Sequence, residues 1–226
     1  MIACGWDHLL LLRQDGTVFA LGGDGKGQLT DNSEPSYDIP ENTDLKNVEI
    51  IACGRDHCLA LTNVKELYSW GHNTDGQLGQ GDEVYRKKPT PVSDNAIDSP
   101  IKDIVAGYGH SLFLLENGQI FGCGYGQRSM YDNEHDANVP TKIIIENVQK
   151  VACKNNHTFS FFLDQSSHYY VWGDWADENE DEEKKDEELL QPKKLDGQLK
   201  SFVAASIMHY KSLITYGLTS IIHVLE

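Results

Sequence analysis

One seven-residue phrase, written again and again at near-regular intervals, constrains this chain more than any other feature. It reads Ile2-Ala3-Cys4-Gly5-Trp6-Asp7-His8, then Ile51-Ala52-Cys53-Gly54-Arg55-Asp56-His57, then the looser Ile104-Val105-Ala106-Gly107-Tyr108-Gly109-His110. Val151-Ala152-Cys153-Lys154-Asn155-Asn156-His157 is a fourth copy, and Val203-Ala204-Ala205-Ser206-Ile207-Met208-His209 a worn fifth. Successive histidines lie 49, 53, 47 and 52 residues apart. A period near 50 marks an array of one supersecondary unit, stacked so that neighbours bury each other's apolar faces. The units are expected at about 2–50, 51–103, 104–150 and 151–202, with a partial one at 203–226, all within a single domain or fragment.

Within a unit, the small apolar residues before the Gly read as a short buried strand, ended where the backbone turns. A second apolar strand starts at the His, as in Leu9 to Leu12, Cys58 to Leu61, Ser111 to Leu115 and Thr158 to Leu163. Asp15-Gly16 and Asn117-Gly118 then signal tight hairpins. The third strand carries aromatics and ends in Gly, as in Tyr68-Ser69-Trp70-Gly71 and Tyr170-Val171-Trp172-Gly173. A Gly-rich loop follows in two units, Gly25-Lys26-Gly27-Gln28-Leu29 and Asp75-Gly76-Gln77-Leu78-Gly79, whose Leu can anchor it between neighbouring units. Pro-led segments at 89–92, 139–143 and 191–195 read as a fourth strand, placed at an edge because proline cannot donate to the ladder. Four short strands per 50 residues describe a propeller blade. The expected fold is all-β: a β-propeller of four-stranded antiparallel blades, about four full blades and a partial fifth.

Charge narrows the partners. With 35 acidic against 19 basic residues the chain carries a net −16, so phosphate backbones and anionic membranes are repelled. No DNA binding and no membrane association are expected; a protein partner with a basic face is. Residues 177–188 concentrate nine acids and two lysines and read as an acidic disordered loop. The five cysteines are odd in number and three share one repeat position, which suits small-residue packing in a reducing compartment. Location is expected to be cytoplasmic, with the nucleus as the alternative, and the chain is expected to be a monomer.

Chemical readings of the repeat are weak. Cys and His four apart invite a zinc site, but a structural zinc needs four converging ligands and each unit supplies two. Equivalent positions spread around a ring are not expected to meet, so no metal and no cofactor is expected. A general base needs a partner to work with, and no nucleophile keeps a fixed relation to all five histidines. His8, His57, His110, His157 and His209 are therefore read as structural, each hydrogen-bonded to a neighbouring turn, and Trp70 and Trp172 as inter-blade packing. The variable slot between Gly and His holds Trp6-Asp7, Arg55-Asp56 and Tyr108-Gly109. Loops on a rigid scaffold carry function, and Trp, Tyr and Arg dominate interface energetics. Trp6, Asp7, Arg55, Asp56 and Tyr108 are thus the candidate partner-binding residues, with a turn-capping role for the two aspartates as the alternative. No catalytic residue is proposed.

Ala-Cys-Gly-x-x-His, Asp-Gly, aromatic-x-Trp-Gly and Gly-Gln-Leu-Gly together resemble the repeat of the regulator of chromosome condensation family. The resemblance implies a β-propeller that binds proteins, and in some members guanine nucleotide exchange on a small GTPase. Cys4-Gly5-Trp6-Asp7 and Trp172-Gly173-Asp174-Trp175 are most similar, within it, to the fungal alpha-tubulin suppressor proteins. These imply a scaffold acting with a small zinc protein in diphthamide synthesis or transfer-RNA wobble modification. Family rings of seven blades exceed the units present, so the chain is expected to be a C-terminal part of a larger ring, the alternative being a smaller closed propeller. Units three and four depart from the pattern by lacking Gly-Gln-Leu-Gly.

Overall fold

Short apolar runs punctuated by glycine turns can satisfy their backbone only by pairing with the run before and the run after, and they do so four times. The computed structural model of the chain describes residues 1–30, 39–93, 97–129, 132–153, 155, 158–172 and 192–194. The first unit holds β1 (Ile2–Cys4), β2 (His8–Leu12), β3 (Val18–Gly22) and β4 (Glu41–Asn42). The second holds β5 (Val48–Cys53), β6 (His57–Thr62), β7 (Leu67–Gly71) and β8 (Arg86–Pro91). The third holds β9 (Ile101–Ala106), β10 (His110–Leu115), β11 (Ile120–Ser129) and β12 (Asp132–Ile143). The fourth holds β13 (Val148–Cys153), β14 (Ser160–Asp164), β15 (Tyr169–Trp172) and β16 (Lys193–Lys194). Each unit is one antiparallel meander with its strands in sequence order, as the strand signals predict. The acidic segment 177–188, His157, His209 and the partial unit 203–226 lie outside the described residues.

The core lies between sheets. Leu10, Val18, Ala20 and Leu29 of the first unit pack on Cys53, Cys58, Ala60 and Trp70 of the second. Leu59, Leu61 and Leu67 on the opposite face of the second sheet pack on Ile104, Ala106, Phe113 and Phe121 of the third. Leu112, Leu114 and Ile120 repeat the arrangement against Val151, Phe162 and Trp172 of the fourth. Both faces of β6 and β10 are covered, so both strands are buried at every residue and read as continuous apolar runs rather than alternating ones. Covering a sheet on both faces produces that pattern whatever its strand direction.

Two expectations need correction. The phrase-bearing strand is not buried everywhere: Ile2 is 66% exposed and Cys4 is exposed. First strands of consecutive units pack side by side, β1 on β5, β5 on β9 and β9 on β13. Burial is deep in the later units, as with Ile51 and Cys53, Ile104 and Ala106, or Val148 and Val151. The third unit also differs. Where the Gly-Gln-Leu-Gly loop is missing, β11 and β12 run on as a long hairpin with several register shifts.

Candidate functional site

The recurring His is a structural device, and its geometry explains two of the repeat's glycines. His8, His57 and His110 are buried at the start of the second strand. Their rings lie against the Gly three residues earlier so closely that a Cβ there would sit 2.1 Å from His8 Cε1, 2.1 Å from His57 Cε1 or 2.0 Å from His110 Cε1. The Gly at the fifth position of the third strand is required for a different reason. Gly22, Gly71 and Gly124 have positive φ, and the next amide donates to the carbonyl just before the His. These bonds run Gly23 N to Asp7 O at 2.7 Å, His72 N to Asp56 O at 2.9 Å and Tyr125 N to Gly109 O at 2.8 Å. The turn is therefore capped by main-chain carbonyls and not by the aspartate side chains.

Each His then reaches into the next unit. His57 Nε2 meets Ser111 Oγ at 3.0 Å, His110 Nε2 meets Ser160 Oγ at 2.7 Å, and His8 Nε2 meets Cys58 Sγ at 3.2 Å. The Gly-rich loop ties the same junction from outside. Gln28 O accepts from Trp70 Nε1 at 2.8 Å and from Cys58 Sγ at 3.6 Å. Gln77 O likewise accepts from Ser111 Oγ at 2.7 Å and Cys123 Sγ at 3.4 Å. Leu29 and Leu78 of those loops are buried, and so are Trp70 and Trp172. Trp70 packs with Leu10 and Leu29 of the first unit, and Trp172 with Leu112 and Leu114 of the third.

The fourth unit breaks the pattern. Strand register pairs Cys153 with Ser160, as it pairs Cys53 with Cys58 and Ala106 with Ser111. The slot before Ser160 is occupied by Phe159, which is buried. The fourth phrase thus spends two more residues before its second strand, and Phe159 stands in register with His8, His57 and His110. Lys154 replaces the Gly against which a His ring would lie.

The candidate binding residues converge. Trp6 is 65% exposed and Tyr108 38% exposed, and the Arg55 guanidinium lies between them, 5.6 Å from the Trp6 ring centre and 4.6 Å from that of Tyr108. Arg55 Nη1 also donates to the Tyr108 hydroxyl, and Arg55 Nε faces Asp56 Oδ2 at 3.3 Å. Main-chain bonds hold the three turns in series, Trp6 N to Arg55 O at 3.0 Å and Arg55 N to Gly107 O at 3.1 Å. Successive units therefore build one partly exposed strip of Trp, Arg and Tyr with Asp56 beside it. Asp7 is exposed, with its Oδ1 3.7 Å from the buried His8 Nδ1.

Electrostatics separate the first junction from the others. Burial holds the His57 imidazole down to about 3, helped by the other histidines, and burial alone takes His110 down to about 4. Both are neutral hydrogen-bonding groups. Burial also works against the charged form of His8, yet the Cys53 thiol, Asp7 and Asp56 outweigh it and raise His8. Cys53 is lowered in return: burial opposes its thiolate, but Cys58 and His8 prevail. One donor atom from each of His8, Cys53 and Cys58 lies within 4.8 Å of the others. The premise that Cys and His positions of different units cannot meet is thus overturned, because the His of one unit projects onto the thiols of the next. Cys58 was absent from the sequence-based candidates; its only signal was a polar residue after the His, repeated as Ser111.

The regulator of chromosome condensation (RCC1) repeat is matched at residues 66–114 by one family model and at 2–28, 48–77 and 101–129 by a second. A chain in the crystal structure of Kap60 bound to yeast RCC1 (Prp20) is 29% identical, with a TM-score of 0.67 over 76% of this chain and 43% of that chain. Prp20p of Saccharomyces cerevisiae, described with its binding to Gsp1p and histones, is 25% identical, with a TM-score of 0.72 over 87% of this chain and 50% of that chain. Human WBSCR16 is 26% identical, with a TM-score of 0.71 over 86% and 51%. The chain spans about half the length of these structures.

Proposed function

This chain belongs to the regulator of chromosome condensation repeat family, and from that premise we propose that it is a non-enzymatic protein-interaction scaffold whose first three blades present Trp6, Arg55 and Tyr108 as one docking strip. The observation that carries this reading is the convergence of three variable side chains onto one surface, while His8, His57 and His110 are buried. An Arg stacked between two aromatics loses little side-chain entropy on binding and offers both an apolar and a charged face. Asp56 and the net charge of −16 favour a partner with a basic face. A small GTPase and the small zinc protein implied by the fungal resemblance are the two partner classes to test.

Exchange of nucleotide on a small GTPase is a second reading. It is supported by similarity to Prp20p, whose binding to Gsp1p is described. A nucleotide-release assay across small GTPases separates the two: release accelerated by the chain supports exchange, and binding without acceleration supports a scaffold. The scaffold reading itself is tested by capture with the tagged chain and with Trp6→Ala, Arg55→Ala and Tyr108→Ala, each checked for native circular dichroism. Proteins retained by the parent and lost by the three variants define the site. Undiminished capture by all three moves it elsewhere, with deletion of 177–188 as the natural control.

A further inference from the structure

The junction between the first two units differs from its copies in chemistry and not in shape. Three register-equivalent positions meet at each junction: the His of one unit, the last residue of the next unit's first strand, and that unit's residue following the His slot. At the second junction these are His57, Ala106 and Ser111, and at the third His110, Cys153 and Ser160. At the first they are His8, Cys53 and Cys58. The architecture therefore tolerates Ala and Ser in these places, so filling space does not account for two thiols facing one imidazole.

We infer that His8 Nε2, Cys53 Sγ and Cys58 Sγ form a buried site for a thiophilic d10 cation, zinc(II) or copper(I). The three donors are buried and within 4.8 Å of one another, and His8 Nε2 already lies 3.2 Å from Cys58 Sγ. An ion about 2.3 Å from each sulfur and about 2.1 Å from the nitrogen spaces its donors roughly 3.6–3.8 Å apart, so sub-ångström side-chain shifts complete the shell. Thiolate and imidazole are the donors these soft ions select. The other ring nitrogen is unpartnered, as those of His57 and His110 are, but only at His8 does an ion-pair contact place a carboxylate near it among the described residues. His8 Nδ1 has no hydrogen-bond partner, and the Asp7 carboxylate stands 3.7 Å away, where a short movement lets it accept the Nδ1 proton and orient the ring. Binding releases the thiol protons, two per ion if both thiols are protonated beforehand, so affinity falls as pH falls. Three protein ligands suit copper(I) as they stand and leave zinc(II) a fourth position.

The test uses the whole reduced chain, stripped of metal and kept anaerobic. Zinc(II) and copper(I) are titrated separately, with bound metal counted by elemental analysis after gel filtration and cobalt(II) serving as the coloured surrogate for zinc. One equivalent of at least one ion per chain is expected, with sulfur-to-metal charge-transfer absorption. Cys53→Ala and Cys58→Ser copy what other units carry, so they should keep the fold and lose the bound equivalent. Asp7→Asn should weaken binding about 10–100-fold, and Cys4→Ser, at an exposed thiol, should leave it unchanged. No stoichiometric binding of either ion overturns the inference, as does binding that survives Cys58→Ser or disappears with Cys4→Ser. Charge-transfer intensity on the parent chain reports thiolate ligation by itself, so its absence is decisive even if a variant fails to fold.

Discussion

Replacing Gly54 by Ala adds one methyl group where two units close on each other. The backbone there is not in the left-handed region, so any cost is steric and not conformational. A Cβ at Gly54 would stand 2.1 Å from His57 Cε1, 2.4 Å from His57 Nδ1 and 2.6 Å from Gly107 O. The first two contacts are the unit's own ring and the third is the backbone of the next unit, so moving one group does not relieve the others. His57 is fully buried and held by Ser111 at 3.0 Å. Displacing it loses that hydrogen bond, about 1 kcal/mol net, on top of about 1–3 kcal/mol for overpacking. Reduced freedom of the unfolded chain returns about 0.4–1 kcal/mol. The balance is a destabilisation of about 1–3.5 kcal/mol, read from urea midpoints at unchanged slope. Gly25→Ala is the control: nothing lies within 4 Å of its Cβ position, so it should be neutral or slightly stabilising. Adding His57→Ala to Gly54→Ala removes the two ring contacts, though not the one to Gly107 O, and should recover at least about 1 kcal/mol relative to additivity. A loss under about 0.5 kcal/mol in Gly54→Ala, or strict additivity in the pair, would refute the His-on-Gly account.

Acid should destabilise the fold through His57 and His110. Their folded values of about 3 and about 4 lie below the ordinary 6.5, so their contribution is complete above pH 6.5 and is lost as pH falls from there toward 3–4. His110→Phe, which copies Phe159, should flatten the pH dependence of the urea midpoint. Trp70→Phe leaves Gln28 O with only the weak Cys58 Sγ donor and a void where the larger ring was buried, and should cost about 1–3 kcal/mol. In the metal-free reduced chain, Cys53→Ala should cost less than about 1.5 kcal/mol, and Cys53→Leu roughly 1–3 kcal/mol. Partner association should slow as salt rises, since a chain of net −16 attracts a basic face over distance.

The meander was legible because its signals are local. Asp15-Gly16 and Asn117-Gly118 mark turns, Gly closes the third strand, and apolar runs of strand length lie between. The junctions were not legible, because they depend on pairing between residues about 50 apart, where periodicity says which positions are equivalent but not which touch. That His8 would reach Cys58 while His57 reaches Ser111 required the packing of one sheet on the next. The displaced register of the fourth unit had a trace in the sequence, since Lys154 stands where Gly5, Gly54 and Gly107 admit the ring. The long β11–β12 hairpin had none beyond the missing loop residues. The strip of Trp6, Arg55 and Tyr108 was anticipated as a shared slot, but the stacking of Arg55 between two rings came from the main-chain bonds that lock successive turns together.

The scaffold account stands most directly on Arg55, because it touches both aromatic members of the strip. Once a captured partner is purified, its affinity for the parent chain and for Arg55→Ala should be measured by titration calorimetry at one ionic strength. Truncation at the centre of a hot spot typically costs about 2 kcal/mol or more, which is about a 30-fold rise in Kd. The account predicts that loss with an unchanged urea midpoint. A Kd within about twofold of the parent value, on a folded variant, would contradict it.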